Sequence, residues 1–460
     1  MPHDNVSAPA LADYATRIEA LAHELGLRYH PVEFELVPDR FMMETAVYGL
    51  PVRMPHWSFG VRYIRELVQR NMGHSRIFEV MFPGDPCKAY LVDANTLAEN
   101  VLVVAHVLGH ADFSWRNALF KRSMQMAGGR ILEQAAARAH RIEAALADHG
   151  QERVESVLDA ALALEAHIDV NRALYRIVPS SDEQDQPAER GKDAFYARWQ
   201  TLPGELAPGK PTKPTPQKPE YDLLWFLAEH GRELEPWERD VFLAVREESF
   251  YFYPVFACQI MNEGWASYWH ARLLREANFL PQDLYVQAIK AHSDVVRPHA
   301  AGKTLALSIN PYHLGFTMWE RIVQKRGLDA AMAICAEEDD FGFVRNHLDS
   351  ELAAELDLFV YEASNDGEIK VASRDLHAIR EAILAPKFNF GSPRVAATDI
   401  GDDGSLTLVH DHQSDGRGLD LPRAERVLDY VIRLWRKPVT LHTVDDRGNK
   451  RELTKRPRAA

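Results

Sequence analysis

The stretch VLVVAHVLGHADF, residues 101–113, is apolar at nearly every position apart from His106, His110 and Asp112. Thr96 and Glu99 stand just before it at the T-x-x-E spacing of a capping box. In that box the threonine hydroxyl accepts from a backbone N–H three residues on, and the glutamate reaches back to the cap. The spacing predicts a helix over 97–113. A helix that is apolar on almost every side belongs inside a core. His106 and His110 are four apart, so they share one face, one turn apart. Two neutral imidazoles so placed can chelate one ion. With 20 histidines in 460 residues the spacing alone is a weak signal. The apolar setting strengthens it, because each buried imidazole must find a partner or bear its desolvation cost. The alternative is two hydrogen-bonded core histidines.

Upstream, IFEVMF (77–82) and KAYLVD (88–93) have strand composition on either side of the turn FPGDP (82–86), which predicts a hairpin. Residues 9–27 read as an amphipathic helix, 40–60 as an ordered irregular segment and 60–72 as helical. Downstream, long helices are predicted over 116–147 and 151–177. Residues 178–220 are rich in Pro, Lys and Glu and poor in apolar residues, the composition of a flexible linker and of the most protease-sensitive part of the chain. Helical signals resume at 221–250, and CQIMNEGWASYWHARLLREANF (258–279) reads as a buried helix. Glu263 and His270, seven apart, share its face. Glu263 lies among Ile260, Met261, Trp265 and Trp269, and a buried carboxylate is costly unless paired, protonated or bound to metal. His106, His110 and Glu263 are therefore expected to converge on one metal site. A capping role for Asn262 and Glu263 is the alternative. Further helices are expected near 283–292, 311–326, 328–338 and 349–362.

From about residue 395 the period becomes that of strands. One hairpin is expected around Asp402-Asp403-Gly404, a helix over 421–435, and a second hairpin to the end. The fold class is thus α+β, mostly α-helical, with a small strand hairpin in the helical core and a small C-terminal α+β module. The expected divisions are 1–177, 178–220, 221–370 and 371–460. The formal charge of −14 argues against wholesale nucleic-acid binding. Cys87, Cys258 and Cys335 stand far apart and are odd in number, which disfavours a disulfide framework and fits a reducing compartment. The N-terminal stretch lacks a basic segment followed by an apolar one, and no apolar run nears the ~20 residues of a transmembrane helix. A cytoplasmic location is expected.

Several longer motifs carry a resemblance. MPHWSFG (54–60), HVLGHADF (106–113), VREESFYFYP (245–254), IMNEGWASYWH (260–270), HSDVV (292–296) and NPYHLGF (310–316) resemble, in order, the SpoVR family (stage V sporulation protein R-like). That resemblance implies a link to the spore cortex, a modified peptidoglycan. It also implies company with a serine protein kinase and a von Willebrand A-type protein. The layout of HxxxH followed by NEGxAxY also resembles the gluzincin metallopeptidases. It implies a zincin-like helical core, one zinc held by His106, His110 and Glu263, and hydrolysis of a peptide or amide bond. The departure is Val107, which stands where gluzincins carry the general-base glutamate. Glu247, Glu248, His270 or His292 would then act as the catalytic group. Two other readings stay open: a non-hydrolytic Fe or Mn protein, since two histidines and a carboxylate also suit those ions, and a regulatory scaffold working with the kinase. His313 is a weaker pocket candidate. Asp112 cannot share the face of His110. His167, His410 and His412 read as surface residues.

Overall fold

The computed structural model describes residues 8–50, 56–71, 79–126, 130–172, 218–296, 310–363 and 369–457. The expected linker at 178–220, apart from its last three residues, lies outside them, as does its expected protease sensitivity. In chain order the elements are α1 (Ala8–Glu24), β1 (Val32–Val37), α2 (Asp39–Tyr48), α3 (Trp57–Asn71), β2 (Glu79–Phe82), β3 (Cys87–Val92), α4 (Leu97–Arg116), α5 (Ala118–Met126), α6 (Ile131–His149) and α7 (Gln151–Ala163). They continue with α8 (Leu223–His230), α9 (Pro236–Ala257), α10 (Gln259–Glu276), α11 (Gln282–Val295), α12 (Pro311–Arg326), α13 (Leu328–Glu337), α14 (Asp340–His347) and α15 (Ser350–Glu355). The last part holds β4 (Val360–Ala363), β5 (Ile369–Ser373), α16 (Leu376–Leu384), β6 (Val395–Ile400), β7 (Leu406–His410), α17 (His412–Asp415), α18 (Leu421–Trp435), β8 (Val439–Val444) and β9 (Lys450–Lys455). The fold is α+β and mostly helical, with a strand-containing C-terminal module. No helix among the described residues is long and apolar enough to cross a membrane.

Some expected elements differ in detail. The segment 40–60 is not irregular: its ends fold as α2 and α3. The long helix expected over 116–147 is broken into α5 and α6. The hairpin β4–β5 was not foreseen. Neither was β1, which pairs in parallel with β3 while β2 pairs antiparallel on the other side. These four differences share a cause. Short strands and short helices carry too few residues for periodicity to identify them, and tertiary pairing decides.

The chain forms two compact units. The first comprises Met1–Glu155 with Glu247–Gly391. Its centre is α4, held at its N-terminus by the full Thr96–Glu99 capping box and buried from Val101 to Ser114. Helix α10 packs beside it, and α12 packs on α10. Their approach is closer than side chains would allow. A Cβ on Gly109 of α4 would stand 2.6 Å from the Ala266 Cα of α10, and one on Gly264 of α10 would stand 2.3 Å from the Gly315 carbonyl carbon of α12. Glycine at these positions lets the three backbones nearly touch, so residues on their facing sides come within ligand distance of one another. Trp265, Trp269, Trp319 and Phe343 fill the space around the seam. Asp112 is buried there too. It accepts from Trp265 Nε1 at 3.0 Å, from the Arg28 amide at 2.7 Å and from Arg116 Nε at 2.8 Å, which ties α4 to α10 and to the segment after α1.

The second unit comprises Ser156–Arg246 with Ser392–Ala460. Its sheet runs β6-β7-β8-β9, with β7 and β8 parallel and both outer pairs antiparallel. Both hairpins expected from the sequence are present, the first turning at Gly404 with φ +83°. Helix α18 forms the crossover from β7 to β8 and packs its apolar face on β8 and β9. One surface expectation holds here and one fails. His412 begins α17 and is exposed, as expected. His410 is a buried residue, bonded through Nδ1 to Thr443 Oγ1 at 2.9 Å and through Nε2 to Asp415 at 2.8 Å. The alternating pattern of β7 hid this, because it cannot say which face is covered.

His167 also turns inward, and burial pushes its imidazole down to about 4 against the opposing effect of the Pro393 carbonyl. The unfolded value lies near ~6.5. Between those limits the unfolded chain takes up a proton that the folded unit refuses. Stability is therefore full above pH ~6.5 and declines as pH falls towards 4. Urea midpoints of the full chain should drop between pH 7 and pH 5, and the drop should be smaller in His167→Gln. Equal drops in the two proteins would remove His167 from the explanation.

Candidate metal centre

Helix α4 presents His106 and His110 on one face, with ring centroids 4.5 Å apart and planes at 87°. Across the seam, α10 presents Glu263. One of its oxygens, Oε2, stands 3.5 Å from His110 Nε2 and 3.7 Å from His106 Nε2. A second carboxylate arrives from β2: Glu79 Oε1 is 3.6 Å from His106 Nε2. Ligand atoms from Glu79, His106 and His110 all lie within 4.8 Å of one another. These separations are too long for good hydrogen bonds. They suit two atoms that share an ion, since ligands ~2 Å from a tetrahedral centre sit a little over 3 Å apart. His106 Nε2 and Glu263 Oε2 are both buried without a hydrogen-bond partner among the described residues. A neutral buried site rarely leaves a lone pair and a carboxylate oxygen facing each other unmet. The donor set therefore fits a divalent cation.

The far sides of the rings are fully engaged. His110 Nδ1 bonds to Asn262 Oδ1 at 2.9 Å; an amide oxygen only accepts, so Nδ1 carries the hydrogen and Nε2 keeps its lone pair. His106 Nδ1 lies 2.8 Å from His270 Nδ1, and His270 Nε2 lies 2.5 Å from His292 Nδ1 on α11. Outer partners of this kind set the orientation of metal-binding imidazoles. Tyr312, at the start of α12, lies nearly parallel to the His106 ring with centroids 6.2 Å apart and turns its hydroxyl to Glu263. A cavity of about 530 Å³ adjoins the centre, bounded by Glu79, Leu102, His106, His270, Lys290 and Tyr312 among others.

The electrostatics separate the two carboxylates. Burial works against the Glu263 charge, but His110 and His106 outweigh it and hold the carboxyl well below the usual range. Glu79 goes the other way: burial raises it, with only partial relief from His106 and His110. For His110 burial opposes the charge, yet Glu263, Asn262 and Glu79 leave the ring above its ordinary value. Glu263 first, then burial and Glu79, keep the Tyr312 phenol protonated far above the ordinary range. Burial holds His270 well below the ordinary imidazole value and His292 at about 4.

The structure thus brings His106, His110, Glu263, His270 and His292 together. It does not bring in Glu247 or Glu248. Glu247 accepts from Arg138 Nη1 at 2.9 Å, and buried Glu248 lies 3.8 Å from Arg138 Nε. Neither lines the cavity, because that face of α9 turns to α6. His313 does not line it either, and Val107 is fully buried in apolar core. Sequence reasoning missed Glu79, Asn262 and Tyr312. Glu79 left one signal, an acid inside the apolar run IFEVMF on the face that alternation shares with Ile77 and Met81. Tyr312 left none, because an aromatic near a helix start reads as packing.

The SpoVR like protein family matches residues 5–391, and the SpoVR-like C-terminal domain matches residues 394–446. Over 323 residues, 67% of the chain, the sequence is 30% identical to the uncharacterized protein YcgB of Escherichia coli strain K12. The match covers 62% of that relative, so the chain spans less than two thirds of its length. No solved structure matches. The family match runs through the helices that carry the histidines and Glu263, through the strand that carries Glu79 and on into the sheet of the second unit, and on that ground the chain belongs to the SpoVR-like family.

Proposed function

We propose that the first unit is a metal-dependent hydrolase acting on a peptide or amide bond, with zinc as the favoured ion. The observation that carries this reading is the facing pair of unmet atoms, His106 Nε2 and Glu263 Oε2, in a buried site. His106, His110 and Glu263 would hold the ion, leaving a position open, the arrangement of catalytic zinc sites. A divalent ion there supplies Lewis acidity, acidifying a water and polarising a carbonyl oxygen.

The chain's own residues divide the remaining work. Glu263, kept ionised by the histidines, would serve as a ligand and not as the base. Glu79, raised by burial, is suited to take a proton from water and return it to the leaving amine. Two carboxylates pushed apart in this way mark an acid–base assignment. Glu79 thereby fills from a strand the role that Val107 leaves vacant on the helix. His270 and His292 are poor bases at neutral pH, since burial holds both low, so the general-base role moves from them to Glu79. The protonated Tyr312 hydroxyl can donate to an oxygen that gains charge at the site. The substrate class, an amide within a cell-wall-type peptide, comes from family resemblance.

The test has two parts. Protein purified without chelators should carry one transition metal per chain. Glu79→Gln should keep that metal while amide hydrolysis falls by about 10²–10⁴-fold. A variant as active as the parent would strip Glu79 of the role, and a parent with no metal, and no affinity for added zinc, would end the reading. The second carboxylate also favours a rival. Two histidines with two carboxylates suit Fe(II) or Mn(II) in a non-hydrolytic protein. Oxygen consumption with iron bound, and no hydrolysis with zinc, would select it.

A further inference from the structure

The three imidazoles His106, His270 and His292 form one hydrogen-bonded series, and its chemistry has a direction. Each link joins two ring nitrogens, at 2.8 Å and then 2.5 Å. A neutral imidazole has one N–H and one lone pair. Every link therefore needs a donor on one side and an acceptor on the other, and choosing the sense of one link sets the next. Two senses exist. In the inward sense His292 donates to His270, His270 donates to His106 Nδ1, and His106 carries its hydrogen on Nε2. That hydrogen would occupy the only atom of His106 that faces Glu79 and Glu263, and no lone pair would remain for an ion. In the outward sense His106 Nδ1–H donates to His270 Nδ1, His270 Nε2–H donates to His292 Nδ1, and His106 Nε2 offers its lone pair to the site.

We infer that His270 is a positioning residue: by accepting from His106 Nδ1 it makes His106 offer Nε2 to the ion, and His292 holds His270 in the tautomer that can accept. This deepens the metal reading and rests on it. The neighbouring ligand needs no such series. His110 Nδ1 donates to the Asn262 oxygen, a group that only accepts, so its tautomer has a single solution. His106 instead depends on a partner that can both donate and accept. Neighbouring groups leave little else to hold the ring. His270 is fully buried, and its two nitrogens are both used within the series. His292 packs edge-on against Phe316, which keeps its Nδ1 turned to His270.

The experiment uses the full-length chain, with Zn(II) and Co(II) as probes and the histidines labelled with ¹⁵N. In the zinc-loaded parent, His106 should show a protonated Nδ1 and a metal-shifted Nε2. His270→Leu removes the acceptor and should weaken Zn(II) binding by about 10–100-fold, the usual cost of losing an outer partner. His270→Asn can place an amide oxygen where Nδ1 stood, and should bind within a few-fold of the parent. His292→Leu should fall between them. Thermal melts of the metal-free proteins report whether each variant folds, and the Asn rescue separates hydrogen bonding from packing. If the parent binds neither Zn(II) nor Co(II), the metal reading falls and takes this inference with it. If His106→Ala abolishes binding while His270→Leu binds as tightly as the parent, the metal reading stands and the positioning role is overturned. Equal losses in His270→Leu and His270→Asn, with both folded, would likewise overturn it.

Discussion

Replacing His106 and His110 together by alanine should abolish stoichiometric metal binding and remove the stabilisation that added metal gives the parent chain. Both rings point Nε2 at the same Glu263 oxygen, at 3.7 and 3.5 Å, so their loss leaves two carboxylates without either of the nitrogens that face them. In the parent, an ion present at 1,000 times its dissociation constant adds about 4 kcal/mol to stability by mass action. The variant should show no such rise. Its metal-free stability should fall as well, because two buried rings are lost from the core seam. Large-to-small changes of this kind cost ~2–5 kcal/mol. The loss of both histidines also takes away the charges that hold the Glu263 carboxyl low, so that group should take up a proton at a higher pH than in the parent. Paired melting curves with and without Zn(II), together with elemental analysis, check the claim. A double variant that still gains stability from Zn(II) would place the ion elsewhere.

Adding one methyl group at Gly264 should be nearly as damaging as removing the ligands. A Cβ there meets three backbone atoms of Gly315, at 2.3, 2.4 and 2.7 Å. Backbone cannot rotate aside as a side chain can, so α10 and α12 must separate. Overpacking of this sort costs ~1–3 kcal/mol, and more where no relaxation exists. The separation also moves Asn262, Glu263 and His270 away from Tyr312. Gly264→Ala should therefore lower the melting temperature and weaken Zn(II) binding together. Gly60→Ala is the control. It lies on the exposed side of α3 with nothing within 4 Å of the added carbon, and should be neutral or slightly stabilising. Equal melting curves for the Gly264 and Gly60 variants would refute the close-packing argument.

Much of this protein can be read from local pattern. The Thr96–Glu99 capping box and the apolar run behind it specify α4 without outside help, since a cap and a helix are built from neighbours in sequence. The same holds for α18 and for the two C-terminal hairpins, whose turns and alternation are local signals. Which residues of a helix share a face also follows from sequence, and so the pairs His106 with His110 and Glu263 with His270 were legible. Burial of Glu263 could be anticipated because apolar aromatics surround it on its own helix.

Sequence could not say which faces meet. Glu79 reaches His106 only because β2 lies beside α4, and Tyr312 reaches Glu263 only because Gly264 and Gly315 let α10 and α12 touch. Glu247 and Glu248 looked like site carboxylates until Arg138, 109 residues away from Glu247 in the chain, claimed them. His167 and His410 looked like surface residues because a periodic pattern shows that a face exists and not what covers it. The division has a physical origin. Caps, turns and helical faces depend on contacts within a few residues, whose energies the sequence states directly. A constellation of ligands depends on long-range packing, where the approach of two backbones and the partner of each charge are outcomes of the whole fold.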